Sequence, residues 1–431
     1  MSPLRRTWND YREAAGQFSR PARLYLLAEL LAWTGHGVFQ VLFNLYLVEG
    51  GFKESFIGQA ISLNGIGLAV AAIPAGILAD RWGRRRCLLL GALLDGAGMV
   101  LRVSVLAPGV IYASSFVAGA GQSLLAIAAA PFLTEHSTGR ERTHLFSAFF
   151  ATALIAGVVG SLLGGWVPAG LHALPEAFRP DRLHAYRVTL LLGGSFALIA
   201  AIPIARLRGL AEAPIEHAAH GTFMEDARQL GPIALNFFLI GVGAGLVIPF
   251  MNLYFATRFH CSSSQIGTFF SIAQVFTALA ALLGPALARR FGLLRTATAS
   301  QLMSLPFLVT LGFERRLSIA VASFWMRATL MQASTPLVQA FVMEALPAAL
   351  RARATSLITL VWNCGWAFSA TVSGIVIQRF GYHVPFYITA GLYGLAATIF
   401  YRAFRGAPEG AALRRAPELV EGRPGEGPAS E

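Results

Sequence analysis

The chain has 431 residues, 55% of them hydrophobic and only 13% charged, with a mean hydropathy of +0.59. A soluble domain carries about twice that share of charge, so the composition excludes a soluble enzyme and points to many bilayer-spanning helices. The formal charge of +12 does not indicate nucleic acid: 24 of the 34 Lys and Arg residues fall on segments read as cytoplasmic, 9 fall outside and Arg327 lies within a span, which is how positive charge orients a membrane protein.

In chain order, twelve apolar runs of spanning length begin near residues 24, 56, 87, 109, 143, 187, 232, 264, 293, 317, 354 and 383. Residues 1–22 are polar, carry Arg5, Arg6, Arg12 and Arg20, and form an N-terminal cytoplasmic segment before a helix that lacks a small-residue cleavage site and is retained. The first helix sets Glu29, Trp33, His36, Gln40 and Asn44 at separations of four, three, four and four, so all five share one face. Against hydrocarbon such a stripe is costly; it belongs against protein or a water-filled cavity. Glu29, His36 and Gln40 are its functional candidates. Glu29 either pairs with a cytoplasmic arginine such as Arg23 or carries a proton, and His36 either titrates near neutral pH or stays neutral in a hydrogen bond.

Between the second and third helices, residues 76–86 read Gly-Ile-Leu-Ala-Asp-Arg-Trp-Gly-Arg-Arg-Arg, a turn whose four arginines fix it on the inner side. Asp95 and Arg102 share a face of the third helix. Contact between them would span two turns, so each is expected to have its own, structural partner. Lys53 is the only lysine, which leaves no Gly-x-x-x-x-Gly-Lys-Ser/Thr loop for a nucleotide phosphate. Cys87, Cys261 and Cys364 lack metal-ligand spacing and read as core residues. No cofactor, metal or enzymatic residue set is expected.

The chain repeats itself. Gly35, Gly37, Asn44, Leu45 and Tyr46 recur 208 positions later as Gly243, Gly245, Asn252, Leu253 and Tyr254. At an offset of 209, Gly58 matches Gly267, Glu135 matches Glu344, Arg142 matches Arg351, Ser147 matches Ser356 and Gly165 matches Gly374. The inner loop also has a worn copy, Ala288-Arg289-Arg290-Phe291-Gly292. The expected organisation is a six-helix half over 23–206, a cytoplasmic linker over 207–231, a second six-helix half over 232–405 and a disordered cytoplasmic tail over 406–431. Within the linker, Glu212, Glu216, His217, His220, Glu225 and Asp226 form no completed metal-ligand set and are expected to be solvated. In the seventh helix the stripe positions are Phe237, Gly241, Ala244, Ile248 and Asn252, so the fold does not require the polar stripe, and Asn44 and Asn252 are expected to pack helices.

In the second half, Arg327 lies about ten residues into the tenth helix, where it would grip an anion, pair with Glu29 across a cavity, or brace helices. Gln274, Gln332, Gln339, Trp362, Asn363 and Trp366 are further candidates to line a cavity.

The spacing Gly76-x-x-x-Asp80-Arg81-x-Gly83-Arg84-Arg85 resembles the signature loop of the major facilitator superfamily of secondary transporters, and with the repeat and the equal orientation of the halves the resemblance covers about residues 20–405. It implies an all-α membrane protein of twelve transmembrane helices in two pseudo-symmetric halves, working by alternating access. It further implies a latch that closes the cytoplasmic side, in which Asp80 faces the start of the eleventh helix near Ala354-Thr355-Ser356 and is linked with Arg84 and Glu135. Two motifs of proton-driven antiporters are damaged. Ser161 stands where a Gly-Pro-x-x-Gly-Gly bend has proline, and Ser115 stands where an arginine precedes the Gly119-Ala120-Gly121 motif.

The expected function is proton-coupled export of an amphipathic or drug-like small molecule through the inner (plasma) membrane, by a monomer with both termini cytoplasmic. Uptake of a small anionic metabolite held by Arg327 is the alternative within the same class. A non-transporting sensor or lipid-handling protein is the alternative of another class, although no soluble signalling domain is expected.

Overall fold

The computed structural model describes residues 18–138, 141–207, 223–346 and 348–406. The linker cluster Glu212, Glu216, His217 and His220 and the tail from residue 407 lie outside the described residues, as do the side chains of Glu225 and Asp226.

Among the described residues, twelve long helices follow one another: α1 Arg20–Glu49, α2 Glu54–Trp82, α3 Arg84–Ser104, α4 Pro108–Glu135, α5 Arg142–His172 and α6 Arg182–Ala205, then α7 Phe223–Val247, α8 Ser263–Phe291, α9 Leu293–Phe313, α10 Leu317–Ala345, α11 Ala348–Phe380 and α12 His383–Phe404. A single 3₁₀ turn, Ile248–Phe250, carries α7 on into Met251–Arg258. Ten of the twelve are long and apolar enough to cross a membrane. The exceptions are α9 and α10, whose polar residues Thr296, Thr298, Gln301, Ser304 and Arg327 are buried within the bundle, so hydropathy alone undercounts them.

Helix starts follow side-chain chemistry. Ser19 caps α1 by accepting from the Ala22 N–H at 3.3 Å, Asp181 caps α6 by accepting from His184 at 2.8 Å, and Ser262 and Gln265 form a capping box on α8. Gly83 alone separates α2 from α3, and Gly292 alone separates α8 from α9. Their φ angles of 91° and 87° are ones that only glycine adopts freely, so the loop and its worn copy make the same turn.

The repeat is visible in the packing. In the first half α1 packs on α5 and α6, α4 on α2 and α3, and α3 on α6; in the second, α7 packs on α11 and α12, α10 on α8 and α9, and α9 on α12. Equivalent bonds tie equivalent residues: the Tyr46 hydroxyl donates to Val103 O at 2.7 Å and the Tyr254 hydroxyl to Leu311 O at 2.6 Å.

The halves meet along two seams, α2 on α11 and α5 on α8, which are copies of one contact. A Cβ added to Gly58 would collide with the Ala370 carbonyl, and one added to Gly267 would collide with the Ser161 carbonyl, 209 positions away in each case. Ser62 donates to Ala367 O across the first seam, and Ser263 donates to Gly165 O at 3.1 Å across the second.

Both seams lie toward the ends of the helices away from the chain termini. There, one apolar core runs through both halves, from Val38, Leu42 and Ile57 to Phe250, Phe255 and Ile266. On the terminal side the core divides. Tyr25, Leu88, Phe132 and Ile204 belong to a cluster of the first half, whereas Ile233, Leu294, Phe341 and Phe400 belong to a separate cluster of the second. The halves are joined on one side and parted on the other.

Candidate functional site

Close glycine contacts hold α1 in place: Gly35 lies against Gly193 of α6 and Gly37 against Gly160 of α5. That fixes the direction of the polar stripe. Glu29 is half-buried, Trp33 and Gln40 are exposed, and Asn44 is buried at the junction of the halves. The Trp33 Nε1–H donates to Glu29 Oε1 at 2.6 Å, so Glu29 is held by the next turn of its own helix, with no ion pair to Arg23.

His36 reaches off the helix. Its Nε2 lies 2.8 Å from Asp95 Oδ2 on α3, and the other oxygen, Oδ1, accepts from Gln122 Nε2 of α4 at 3.1 Å. Asp95 is 1% exposed, a carboxylate sealed inside the first half and connected to the stripe through one imidazole. Gly121 allows this, because a Cβ there would strike the backbone nitrogen of Asp95; without it α4 comes close enough for Gln122 to reach the carboxylate. Asp95 and Arg102 do have separate partners. The Arg102 guanidinium lies 4.5 Å from the ring centres of both Phe39 and Phe43. Sequence reasoning gave no sign that Asp95 would meet His36, or that Gln122 would bond the same carboxylate.

Glu29 and Arg327 are not brought together. Arg327 is 4% exposed and donates from Nη2 to the Tyr393 hydroxyl of α12 at 3.3 Å, so it braces two helices of the second half. Gln274 belongs to the α5–α8 seam, packed on Gly157 with its Nε2 3.2 Å from Ser161 Oγ. Gln332 is exposed.

Trp362 and Asn363 do line a cavity, about 220 Å³ in volume, between α7, α9, α10 and α11, together with Gln339. Trp362 stacks toward Trp366 with ring centres 6.4 Å apart, and Asn363 Nδ2 donates to Thr359 O at 2.8 Å. Asn236 and Gln301, neither singled out in the sequence, complete the polar part of the wall.

At the terminal face, Arg84 is buried in an ion pair with Glu135 at the end of α4, which joins the signature turn to the first half. Arg85 Nη2 donates to Ala205 O at 2.6 Å. Asp80 and Arg81 are exposed, and Gly76 has open space beside it. Asp80 has no hydrogen bond or ion pair among the described residues.

Comparison with known proteins agrees with this geometry. The sequence model of the Major Facilitator Superfamily matches residues 25–223 and 233–427. The multidrug resistance protein MdtH of Proteus mirabilis is 25% identical over 176 residues, 38% of this chain and 44% of its own. The niacin transporter NiaP of Acinetobacter baylyi is 27% identical over 163 residues, 38% of this chain and 36% of its own. The chain thus spans less than half the length of the curated relatives it matches. Among solved structures, a bacterial homolog of the human lysosomal transporter Spinster, inward-facing and occupied, superposes with a TM-score of 0.73 at 14% identity, over 89% of this chain and 96% of that one. The nucleoside transporter NupG superposes with a TM-score of 0.71 at 16% identity, over 90% and 100%. At these identities the likeness shows the fold.

Proposed function

We propose that this chain, which belongs to the major facilitator superfamily, is an inner-membrane secondary transporter that works by alternating access and exports amphipathic, drug-like molecules in exchange for protons. The observation that carries the reading is the divided core: one shared cluster away from the termini and two separate clusters beside them. The arginine distribution assigns the terminal side to the cytoplasm, so this is the inward-facing member of a pair of states. In the other state the terminal halves close, and Asp80 meets the start of α11 as the signature latch.

Glu29 is proposed as the proton carrier, on a face of α1 that the rest of the first half leaves uncovered, with His36 and Asp95 behind it. An ionised carboxylate favours the state in which water reaches it, and a protonated one tolerates closure. Proton occupancy therefore biases which side is open. The burial of Arg327 against Tyr393 removes the main support for uptake of an anion, and the name of the multidrug resistance relative supports export.

The test is accumulation in everted membrane vesicles with an acid interior, using cationic ethidium and neutral chloramphenicol as cargo. Accumulation that needs the gradient and is lost in Glu29→Gln supports the reading. Accumulation unaffected by removing the gradient contradicts proton coupling, and full activity in Glu29→Gln contradicts this residue's role.

A further inference from the structure

The cavity between α7, α9, α10 and α11 lies wholly within the second half, and two of its walls are chemically incomplete. Asn236 is 0% exposed and Gln301 is 3% exposed, yet Asn236 Oδ1 and Gln301 Oε1 have no hydrogen-bond partner. The Asn236 amide orientation is fixed, because its Nδ2 donates to Ala396 O at 3.0 Å, so the acceptor is what remains over. The Gln301 carboxamide makes no hydrogen bond to the described residues, although it occupies a helix whose neighbouring polar groups are buried. Buried carbonyl oxygens are rarely left unpaired in native proteins. Thr296 Oγ1 and Thr298 Oγ1 of α9 are unpaired as well, but Asn236 and Gln301 line the cavity, where a group arriving from outside the chain can complete them.

The rest of the wall narrows the donor's chemistry. Trp362 offers an indole face, and Phe237, Ile240 and Met331 supply apolar surface. No charged side chain lines the cavity among the described residues. A cation would find no carboxylate to pair with, and an anion would face unpaired carbonyl oxygens. With a volume of about 220 Å³ and one open side, the cavity admits a small ring compound.

We infer that this cavity binds a small, uncharged, planar molecule with an N–H donor, such as an aromatic carboxamide or lactam, its ring on Trp362, its donor on Asn236 Oδ1 and the rest of its amide group on the unbonded carboxamide of Gln301. Sites built to hydrogen-bond a ligand discriminate strongly against analogues that cannot complete the bonds. That the bound molecule is also the cargo rests on the transporter reading above; the selectivity of the cavity does not.

The experiment is calorimetric titration of the full chain in detergent with three planar probes of one shape: benzamide, benzoate and benzamidinium. Saturable benzamide binding is expected, with the two charged probes at least about tenfold weaker, and Gln301→Leu is expected to weaken benzamide by about tenfold or more. Charged probes binding as tightly as benzamide, no saturable benzamide binding, or benzamide binding unchanged by Gln301→Leu would each overturn the assignment. If Gln301→Leu fails to fold, the ranking of the three probes on the unmodified chain still decides. Benzamide selectivity without gradient-driven accumulation in vesicles would sink the transporter reading and leave this one, and the opposite result would do the reverse.

Discussion

Asn44 and Asn252 bind each other at the junction of the halves, Asn44 Nδ2 donating to Asn252 Oδ1 at 3.1 Å, and each also donates to the backbone of the other's helix: Asn44 to Pro249 O at 2.6 Å and Asn252 to Val41 O at 3.0 Å. Val41 and Pro249 are separated by the same 208 positions as the asparagines, so the arrangement is its own two-fold mate. Asn252 also explains the irregular turn in α7. Its Oδ1 accepts from the Leu253 N–H at 2.9 Å, which leaves the Pro249 carbonyl available to Asn44.

Replacing either asparagine with leucine should strand buried backbone acceptors and cost about 1–3 kcal/mol. Because the two share one network, Asn44→Leu with Asn252→Leu should cost less than the sum of the single changes. Thermal unfolding of the purified variants measures both quantities. Strict additivity would mean that the pair is not a unit.

The seam glycines give a prediction about state rather than stability. Leucine at Gly58 or Gly267 cannot occupy the seam, and overpacking of about 1–3 kcal/mol corresponds to a shift of roughly fivefold to a hundredfold between two states. A cysteine in place of buried Ser62 reports it: labelling by a hydrophilic thiol reagent should rise in Gly58→Leu. Unchanged labelling with normal folding would show that the seam does not open.

Asp95→Asn keeps the shape of the buried carboxylate and removes its charge. The bonds to His36 and Gln122 can persist in altered polarity, so folding should be nearly normal while gradient-driven accumulation falls by about tenfold or more. Asp95→Ala should instead destabilise by about 1–3 kcal/mol, since His36 and Gln122 lose their partner. Full transport by Asp95→Asn would reduce the cluster to a structural role.

At the terminal face, Asp80→Asn should leave the Arg84–Glu135 pair and the fold intact, because Asp80 has no partner among the described residues. Its effect belongs to the closed state, which it should weaken by about 0.3–1 kcal/mol or more if that site is partly buried. The expected outcome is slower transport with an unchanged unfolding temperature.

Much of the fold was legible because it is periodic. Tyr46 with Tyr254 and Asn44 with Asn252 revealed two halves, and Gly58 with Gly267 revealed matching positions, though only the structure shows that these glycines are where the halves touch. The α1 stripe was legible from helical spacing, which gave the common face of Glu29, Trp33 and His36. What spacing cannot give is contact between helices. His36 and Asp95 are 59 residues apart, and Asp95 and Gln122 are 27 apart, so their meeting depends on how closely Gly121 lets α4 approach α3. For Arg327 the sequence left gripping an anion, pairing with Glu29 and bracing helices all open, and its bond to Tyr393, two helices along the chain, is a contact that spacing cannot give. The acceptors at Asn236 and Gln301 carry no sequence signal, because an unpaired oxygen is a property of packing alone.

The central claim is that the halves rock about their seams, closing the terminal side as the other side opens. Spin-label distances in a cysteine-free background test it most directly, with one pair at Arg86 and Arg290 on the terminal face and another at Lys53 and His260 on the opposite face. All four positions are exposed. On acidification in lipid nanodiscs the first distance should shorten as the second lengthens. Both distances moving in the same direction, or neither responding to pH, would contradict a proton-coupled alternating transporter.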